Sequence, residues 1–192
     1  MGLPPNSALP DPFFSIIITT YNRDGFVQRC VNSCLHQIFT DFEVIVVDDG
    51  STDGTVVALE GIGDSRLRVL RHGANRGISP SRHTGVSHAQ GDWVVVLDSD
   101  WGLVPHALQR LSEIIAQLPA DVRVLRSRLL LDGTRVIPAF VPEGPIRYEQ
   151  RIIWAEEEGG FDAGRCVHRS VFDTLPYFHD RRGAMETLYS SS

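Results

Sequence analysis

Three short runs of apolar, largely β-branched residues each lead into a polar cluster, and this repetition limits the possible folds more than any other feature. The runs are Phe14–Thr19, Glu43–Val47 and Trp93–Leu97. The clusters that follow them are Thr19-Thr20-Tyr21-Asn22-Arg23, Asp48-Asp49-Gly50-Ser51 and Asp98-Ser99-Asp100. A strand with one wet face alternates polar and apolar residues, whereas a continuous apolar run predicts burial on both faces. Leu67–Leu70 is a shorter run of the same kind.

Helical patterns separate the runs. Phe26, Val27, Cys30, Val31, Cys34, Leu35 and Ile38 recur at helical spacing. Asp53 is placed to cap a short helix through Glu60. Ser79–Ala89 predicts a helix with Ser79 as N-cap and Pro80 at its first position, broken by Gly91-Asp92. Val104–Leu118 predicts an amphipathic helix with Pro105 near its start and Pro119 as its stop. Parallel strands need crossover connections, so strands alternating with helices predict an α/β fold with a mostly parallel central sheet flanked by helices. Ligands of such sheets bind beyond the carboxyl ends of the strands. The three polar clusters are therefore expected along one sheet edge.

Beyond Pro119 the pattern changes. Val122–Arg126 predicts a further strand, and Leu129–Ile137 a hairpin around Asp132-Gly133. Pro138, Pro142 and Pro145 predict an extended segment, and Glu156–Gly160 a solvated turn. Residues 1–12 read as a loose lead-in, 13–118 as a ligand-binding half, and 119–192 as a second part of the same domain.

A formal net charge of -6 argues against a nucleic-acid partner, because phosphate backbones favour basic surfaces. No apolar run reaches the roughly 18 residues that would span a bilayer. The cysteines, Cys30, Cys34 and Cys166, are odd in number and lack framework spacing, which predicts core packing in a reducing cytosol, so a cytoplasmic location is expected.

Asp98 and Asp100 are carboxylates one residue apart at a strand end. Hard divalent cations bind oxygen, and Mg²⁺ typically takes one or two carboxylates together with substrate phosphates. Taken alone, the pair fits such a site and a helix-capping turn equally well. Asp48 and Asp49 are suited to accept hydrogen bonds from a base or ribose, or to close an Asx-type turn. Tyr21 is suited to stack on a base. Arg82 lies near a helix N-terminus, where a guanidinium would hold a diphosphate.

Together these stretches resemble family-2 glycosyltransferases, inverting nucleotide-sugar transferases of the GT-A fold. The matching segments are Ser15–Arg23, Val44–Thr55, Asn75–Ser79 continuing through Arg82 and Gly85, and Gly91–Asp100. They cover roughly residues 13–118, which the resemblance makes the donor half, with 119–192 the acceptor side. It implies that Thr19, Tyr21 and Asp49 contact the nucleoside, Asp49 facing the base. It implies that Arg82 approaches the base or the diphosphate, that Asp98 lies near ribose and metal, and that Asp100 binds Mg²⁺ or Mn²⁺. The expected partners are a nucleoside-diphosphate sugar, UDP-linked in the first instance, and an acceptor hydroxyl.

The general base of the resemblance falls beyond Gly164–Arg169, with Glu186 the first candidate and Asp180 the second. The acidic pair common in the family is incomplete here, since Thr187 follows Glu186. Trp101 stands where many relatives carry another acidic residue. The chain also stops soon after Glu186, so a truncated acceptor side is one expectation. These departures keep a nucleotide-sugar-binding domain without transferase activity as the alternative. A nucleotidyltransferase ranks lower, because Thr20–Arg23 occupies the place of a glycine-rich phosphate loop.

Overall fold

A computed structural model describes residues 11–126, 129–131, 135–137 and 165–174. Among them eight strands form two sheets. The larger sheet comprises β1 (Phe14–Thr20), β2 (Phe42–Asp48), β3 (Leu67–Arg71), β4 (Trp93–Asp98), β5 (Val124–Arg126) and β8 (Arg165–His168), in the order β3-β2-β1-β4-β8-β5. β1 to β4 run parallel, and β8 lies antiparallel to both β4 and β5. β6 (Leu129–Leu131) and β7 (Arg135–Ile137) form a separate antiparallel hairpin, as the sequence predicts. Its turn, the proline-rich segment, the Glu156–Gly160 turn and most of the lead-in lie outside the described residues.

Every residue of β1 and of β2 is buried, which explains their unbroken apolar sequences. Alternate side chains serve two cores. Phe14, Ile16, Ile18, Val44 and Val46 pack with α1 (Val27–Leu35), α2 (Thr55–Glu60) and α4 (Ala107–Ile115) through Val27, Val31, Leu59 and Leu108. Ile17, Ile45, Val47, Val94 and Val96 face α3 (Ile78–Ser87) through Val86, and Phe172 of α5 (Ser170–Thr174) joins them. Each fully buried aliphatic side chain contributes about 1.5–3 kcal/mol relative to exposure. The three cysteines are unpaired by disulfides and buried, as core packing requires.

Several helix boundaries differ from the sequence expectation, and two of the helix starts show why. α3 begins at Ile78, not after Ser79, because Gly77 precedes it with φ +97° and takes the N-cap place. That left-handed φ is open to glycine and strained for other residues. α4 begins at Ala107 rather than Val104. The carbonyl of Val104 accepts from Gln37 Nε2 at 2.8 Å and that of Pro105 from the Ile38 amide at 3.1 Å, so this segment is bound to the end of α1.

The face of α3 is set by Gly85. A Cβ there would stand 2.3 Å from Ile17 Cγ2 and 3.4 Å from Val47 Cγ2. Ile17 is wholly buried and β-branched, so its methyl has nowhere to swing. Alanine gains about 1 kcal/mol of helix propensity over glycine, whereas overpacking a tight core costs about 1–3 kcal/mol. Gly85→Ala is therefore expected to lower the urea midpoint with an unchanged slope, a net loss of up to about 2 kcal/mol.

Candidate functional site

The parallel register brings the polar clusters together. Thr19 of β1 pairs with Asp98 of β4 on one side and Val47 of β2 on the other, and Thr20 pairs with Asp48. The strands thus release their polar tails at one level and one edge. A cleft of about 350 Å³ opens there. Thr19, Thr20, Tyr21, Asp49, Asp98 and Asp100 line it, so five of the predicted contact residues share one space. That volume lies within the range of small-molecule sites.

The loops above the sheet are stitched together. Asn22 sits at φ +51°, a conformation Asn tolerates better than most residues. Its Oδ1 accepts from the Thr52 amide at 2.9 Å, and its own amide donates to Ser51 Oγ at 2.9 Å. The Arg23 amide donates to Thr55 Oγ1 at 2.8 Å. These bonds tie the loop that carries Tyr21 to the start of α2. Tyr21 remains 44% exposed and Ile78 40% exposed, both on the cleft wall.

Asp49 organises the opposite wall. It is 4% exposed, and its carboxylate accepts from His72 Nδ1 at 2.7 Å, from the Arg76 amide at 3.0 Å and from the Gly77 amide at 2.8 Å. His72 Nε2 is in turn 3.0 Å from Thr84 Oγ1 on α3. A carboxylate from the end of β2 therefore caps the start of α3, where a negative charge meets the positive end of the helix dipole. The family resemblance implies that Asp49 faces the base. In the structure it lines the cleft, while most of its acceptor capacity goes to fixing the Arg76-Gly77 turn. The neighbouring Asp48 is fully buried and accepts from the Ser51 amide at 3.2 Å, with Arg71 Nε 3.3 Å away.

Arg82 is 5% exposed and donates through Nη2 to Asp98 Oδ1 at 3.0 Å. It stands behind the cleft wall and acts on the cleft through Asp98. Asp100 is exposed at the cleft. Among the described residues no group of three or more His, Cys, Asp and Glu side chains is arranged to hold a metal. Two carboxylates beside an open cleft still fit a cation that completes its shell with phosphate oxygens and water. The thiols do not fit one. Burial pushes Cys166 up to about 12, and Cys30 is raised by its bond to Cys34 and by burial, so neither offers a thiolate.

Several features were missed by sequence reasoning. Arg23, Asn75, Ile78 and Ser81 also line the cleft. Their signal was position alone, since they flank the strand ends and the start of α3. The Gly164–Arg169 stretch contains β8, which lies between β4 and the edge strand β5. Trp101 is partly buried and packs on the core cluster beneath α1 and α4. Glu186 and Asp180 lie outside the described residues.

Comparison with known proteins places this arrangement. The profile described as "Glycosyl transferase family 2" matches residues 15–175. The chain belongs to glycosyl transferase family 2. It is 36% identical over 124 residues to the succinoglycan biosynthesis protein ExoO of Rhizobium meliloti (strain 1021), covering 65% of this chain and 35% of that protein. The structure is similar to S. aureus TarS 1-349 in complex with UDP-GlcNAc, with a TM-score of 0.76 and 26% identity over 92% of this chain and 51% of that one. It also shares its fold with the mannosyltransferase PcManGT of Pyrobaculum calidifontis in complex with GDP-Man and Mn²⁺, with a TM-score of 0.62 and 22% identity over 91% of this chain and 51% of that one. This family-2 chain thus spans about a third to a half of the length of these relatives. The GT-A fold expected from sequence is the fold observed.

The capping role of Asp49 carries a pH signature in this family member. Burial alone would raise its carboxyl, but the His72 ring and the Arg76 and Gly77 amides outweigh that and hold it below the usual carboxylate range. A carboxyl lowered in the folded state stabilises fully above its ordinary value of 3.8, and that stability is lost as pH falls through the folded value. Asp49→Asn is expected to cost about 1–3 kcal/mol at pH 7 by urea unfolding. The gap to the unmodified chain should narrow below about pH 4.

Proposed function

We propose that the cleft binds a nucleoside-diphosphate sugar and that the chain supplies the donor site of an inverting, metal-dependent glycosyltransferase. The observation that carries this reading is the convergence of Thr19, Tyr21, Asp49, Asp98 and Asp100 on one cleft in a family-2 chain. The likeness to a TarS fragment in complex with UDP-GlcNAc supports a UDP-sugar, and the shared fold with a mannosyltransferase in complex with GDP-Man and Mn²⁺ supports a divalent cation.

The chain's residues divide the work by chemistry. Tyr21 and Ile78 are apolar surfaces for the base, and Asp49 fixes the turn that borders it. Thr19 offers a hydroxyl to the nucleoside. Thr20 Oγ1 is buried without a hydrogen-bond partner among the described residues. Asp98, oriented by Arg82 at one oxygen, and the exposed Asp100 would hold Mg²⁺ or Mn²⁺. Bound there, the cation supplies Lewis acidity that offsets charge on the departing diphosphate.

In the transfer itself the acceptor oxygen forms a bond to the anomeric carbon. The bond from that carbon to the β-phosphate oxygen breaks, and the nucleoside diphosphate leaves with the electron pair. A single displacement of this kind inverts the anomeric centre. The acceptor proton passes to Glu186, or to Asp180 if Glu186 is too distant, which is general-base catalysis. The resemblance of the segment around these residues to the family supports that assignment.

Calorimetric titration of UDP, with and without Mn²⁺, tests the site. Asp100→Ala is expected to lose about tenfold or more of the Mn²⁺-dependent affinity, the loss of one charge-assisted ligand. An affinity that is metal-independent and unchanged by the substitution would reject the reading. Transfer is tested separately with Glu186→Gln, for which turnover is expected to fall about 100-fold or more while UDP affinity holds. Full turnover in Glu186→Gln would move the base to another residue.

A further inference from the structure

The segment that carries Asp100 is held along one edge of α1. The Asp98 carbonyl accepts from the Trp101 amide at 3.0 Å and lies 3.6 Å from Cys30 Sγ. Ser33 Oγ accepts from the Leu103 amide at 3.0 Å and donates to the Cys30 carbonyl at 2.7 Å. Gln37 Nε2 donates to the Val104 carbonyl at 2.8 Å and to the Ser33 carbonyl at 3.0 Å, and its Oε1 accepts from the Leu108 amide at 3.1 Å. Ser33 lies in the last turn of α1, and Gln37 follows two residues beyond its end at Leu35, where the Gln37 amide donates to the Cys34 carbonyl at 3.2 Å. Gln37 is 5% exposed with both ends of its amide engaged.

Most of these bonds have a common target. Those to the Asp98 and Val104 carbonyls and the Leu103 and Leu108 amides fall on the backbone between Asp98 and Leu108, the stretch that bears Asp100 between β4 and α4, while those to the Cys30 and Ser33 carbonyls brace the Ser33 and Gln37 side chains. The fit is close: a Cβ at Gly102 would come within 3.3 Å of Ser33 Oγ. On the other side of the sheet, Arg82 of α3 holds the Asp98 side chain. Asp98 is therefore held from both faces, its side chain by Arg82 and its carbonyl by Cys30 and the Trp101 amide, and Asp100 lies between the anchored Asp98 and the anchored Leu103. Asp100 itself is exposed, so its position depends on how firmly the segment beneath it is fixed.

We propose that Gln37, with Ser33, is a positioning residue that sets the affinity of the Asp98–Asp100 site for a divalent cation bound together with a nucleoside diphosphate. The inference rests on the donor-site reading above. Its specific content is that the grip of α1 is felt in the metal-dependent part of binding. A residue that served stability alone would weaken binding with and without metal alike.

The test uses the full chain and titrates UDP in EDTA and in Mn²⁺, with unfolding midpoints measured in parallel. Gln37→Met keeps the length and apolar volume of the side chain and removes its three hydrogen bonds. The gain in UDP affinity conferred by Mn²⁺ is expected to shrink about tenfold or more, as outer-sphere partners of metal ligands typically show, with UDP affinity in EDTA within about twofold of the unmodified chain. Ser33→Ala, which removes the acceptor of the Leu103 amide, should show the same split and serves if Gln37→Met fails to fold. Ser15→Ala, which breaks a buried network at the opposite sheet edge, should lower the midpoint and leave the Mn²⁺ gain intact.

A Mn²⁺ gain that persists in the α1 variants overturns the proposal, as does an equal loss in EDTA or an equal loss of the gain in Ser15→Ala. If the unmodified chain shows no Mn²⁺ gain at all, the donor-site reading and this inference fall together. If it shows the gain and the α1 variants retain it, the inference falls alone.

Discussion

β1 is buried on both faces and hydrogen-bonded on both edges, to β2 and to β4. A strand in that position has no freedom of register, because a shift by one residue would turn Ile16 and Ile18 to the wrong core and Ile17 away from α3. Everything at the cleft follows from this. With β1 fixed, Thr19 must stand beside Asp98 and Thr20 beside Asp48. The polar tails of three strands then meet without any long-range guidance from the loops. The loops add detail, through the Asn22 stitch and the Asp49 cap, to a meeting place that the sheet has already chosen.

The far edge of the sheet anchors the same strands. Ser15 Oγ donates to Glu43 Oε1 at 2.7 Å, Glu43 Oε1 accepts from the Gln90 amide at 2.7 Å, and Ser15 Oγ accepts from the Gly91 amide at 2.8 Å. Arg68 Nη1 completes the set, donating to Glu43 Oε2 at 3.1 Å. A Cβ on Gly91 would meet the backbone of Phe14 and Ser15 at 2.6 Å, so β4 begins pressed against the start of β1. The network locks the relative offset of β1, β2 and β4 at one end, and the cleft reads that offset at the other. Buried polar groups that are mutually satisfied favour one arrangement over its slipped alternatives.

Much of this was legible in the sequence, for a physical reason. Strands buried on both faces leave an unbroken apolar trace, so β1, β2 and β4 were readable within a residue of their ends. The carboxyl-end rule then located the site without any side-chain geometry. Elements decided by tertiary bonds were less legible. Phe26 and Ile38 fit the helical period of α1 yet are 45% and 53% exposed, because the helix runs only from Val27 to Leu35 and leaves both outside it, with the Ile38 amide bonded to Pro105. Val104 and Pro105 look like a helix start but serve Gln37 and Ile38 instead. The partners of Asp49 lie 23 to 28 residues away, at His72, Arg76 and Gly77, and no local pattern announces them. β8 is short and joins the sheet antiparallel, a pairing that depends on the exposed edge of β4 and not on its own composition.

The central claim is that the cleft at the ends of β1, β2 and β4 is a metal-assisted nucleoside-diphosphate site. A crystal structure of the protein grown with UDP and Mn²⁺, with anomalous data collected at the manganese edge, tests it most directly. The account predicts one strong anomalous peak between the carboxylates of Asp98 and Asp100 and the diphosphate, with the base against Tyr21 and Ile78. A nucleotide bound away from this cleft, or bound in it with no manganese at Asp98 and Asp100, would contradict the account.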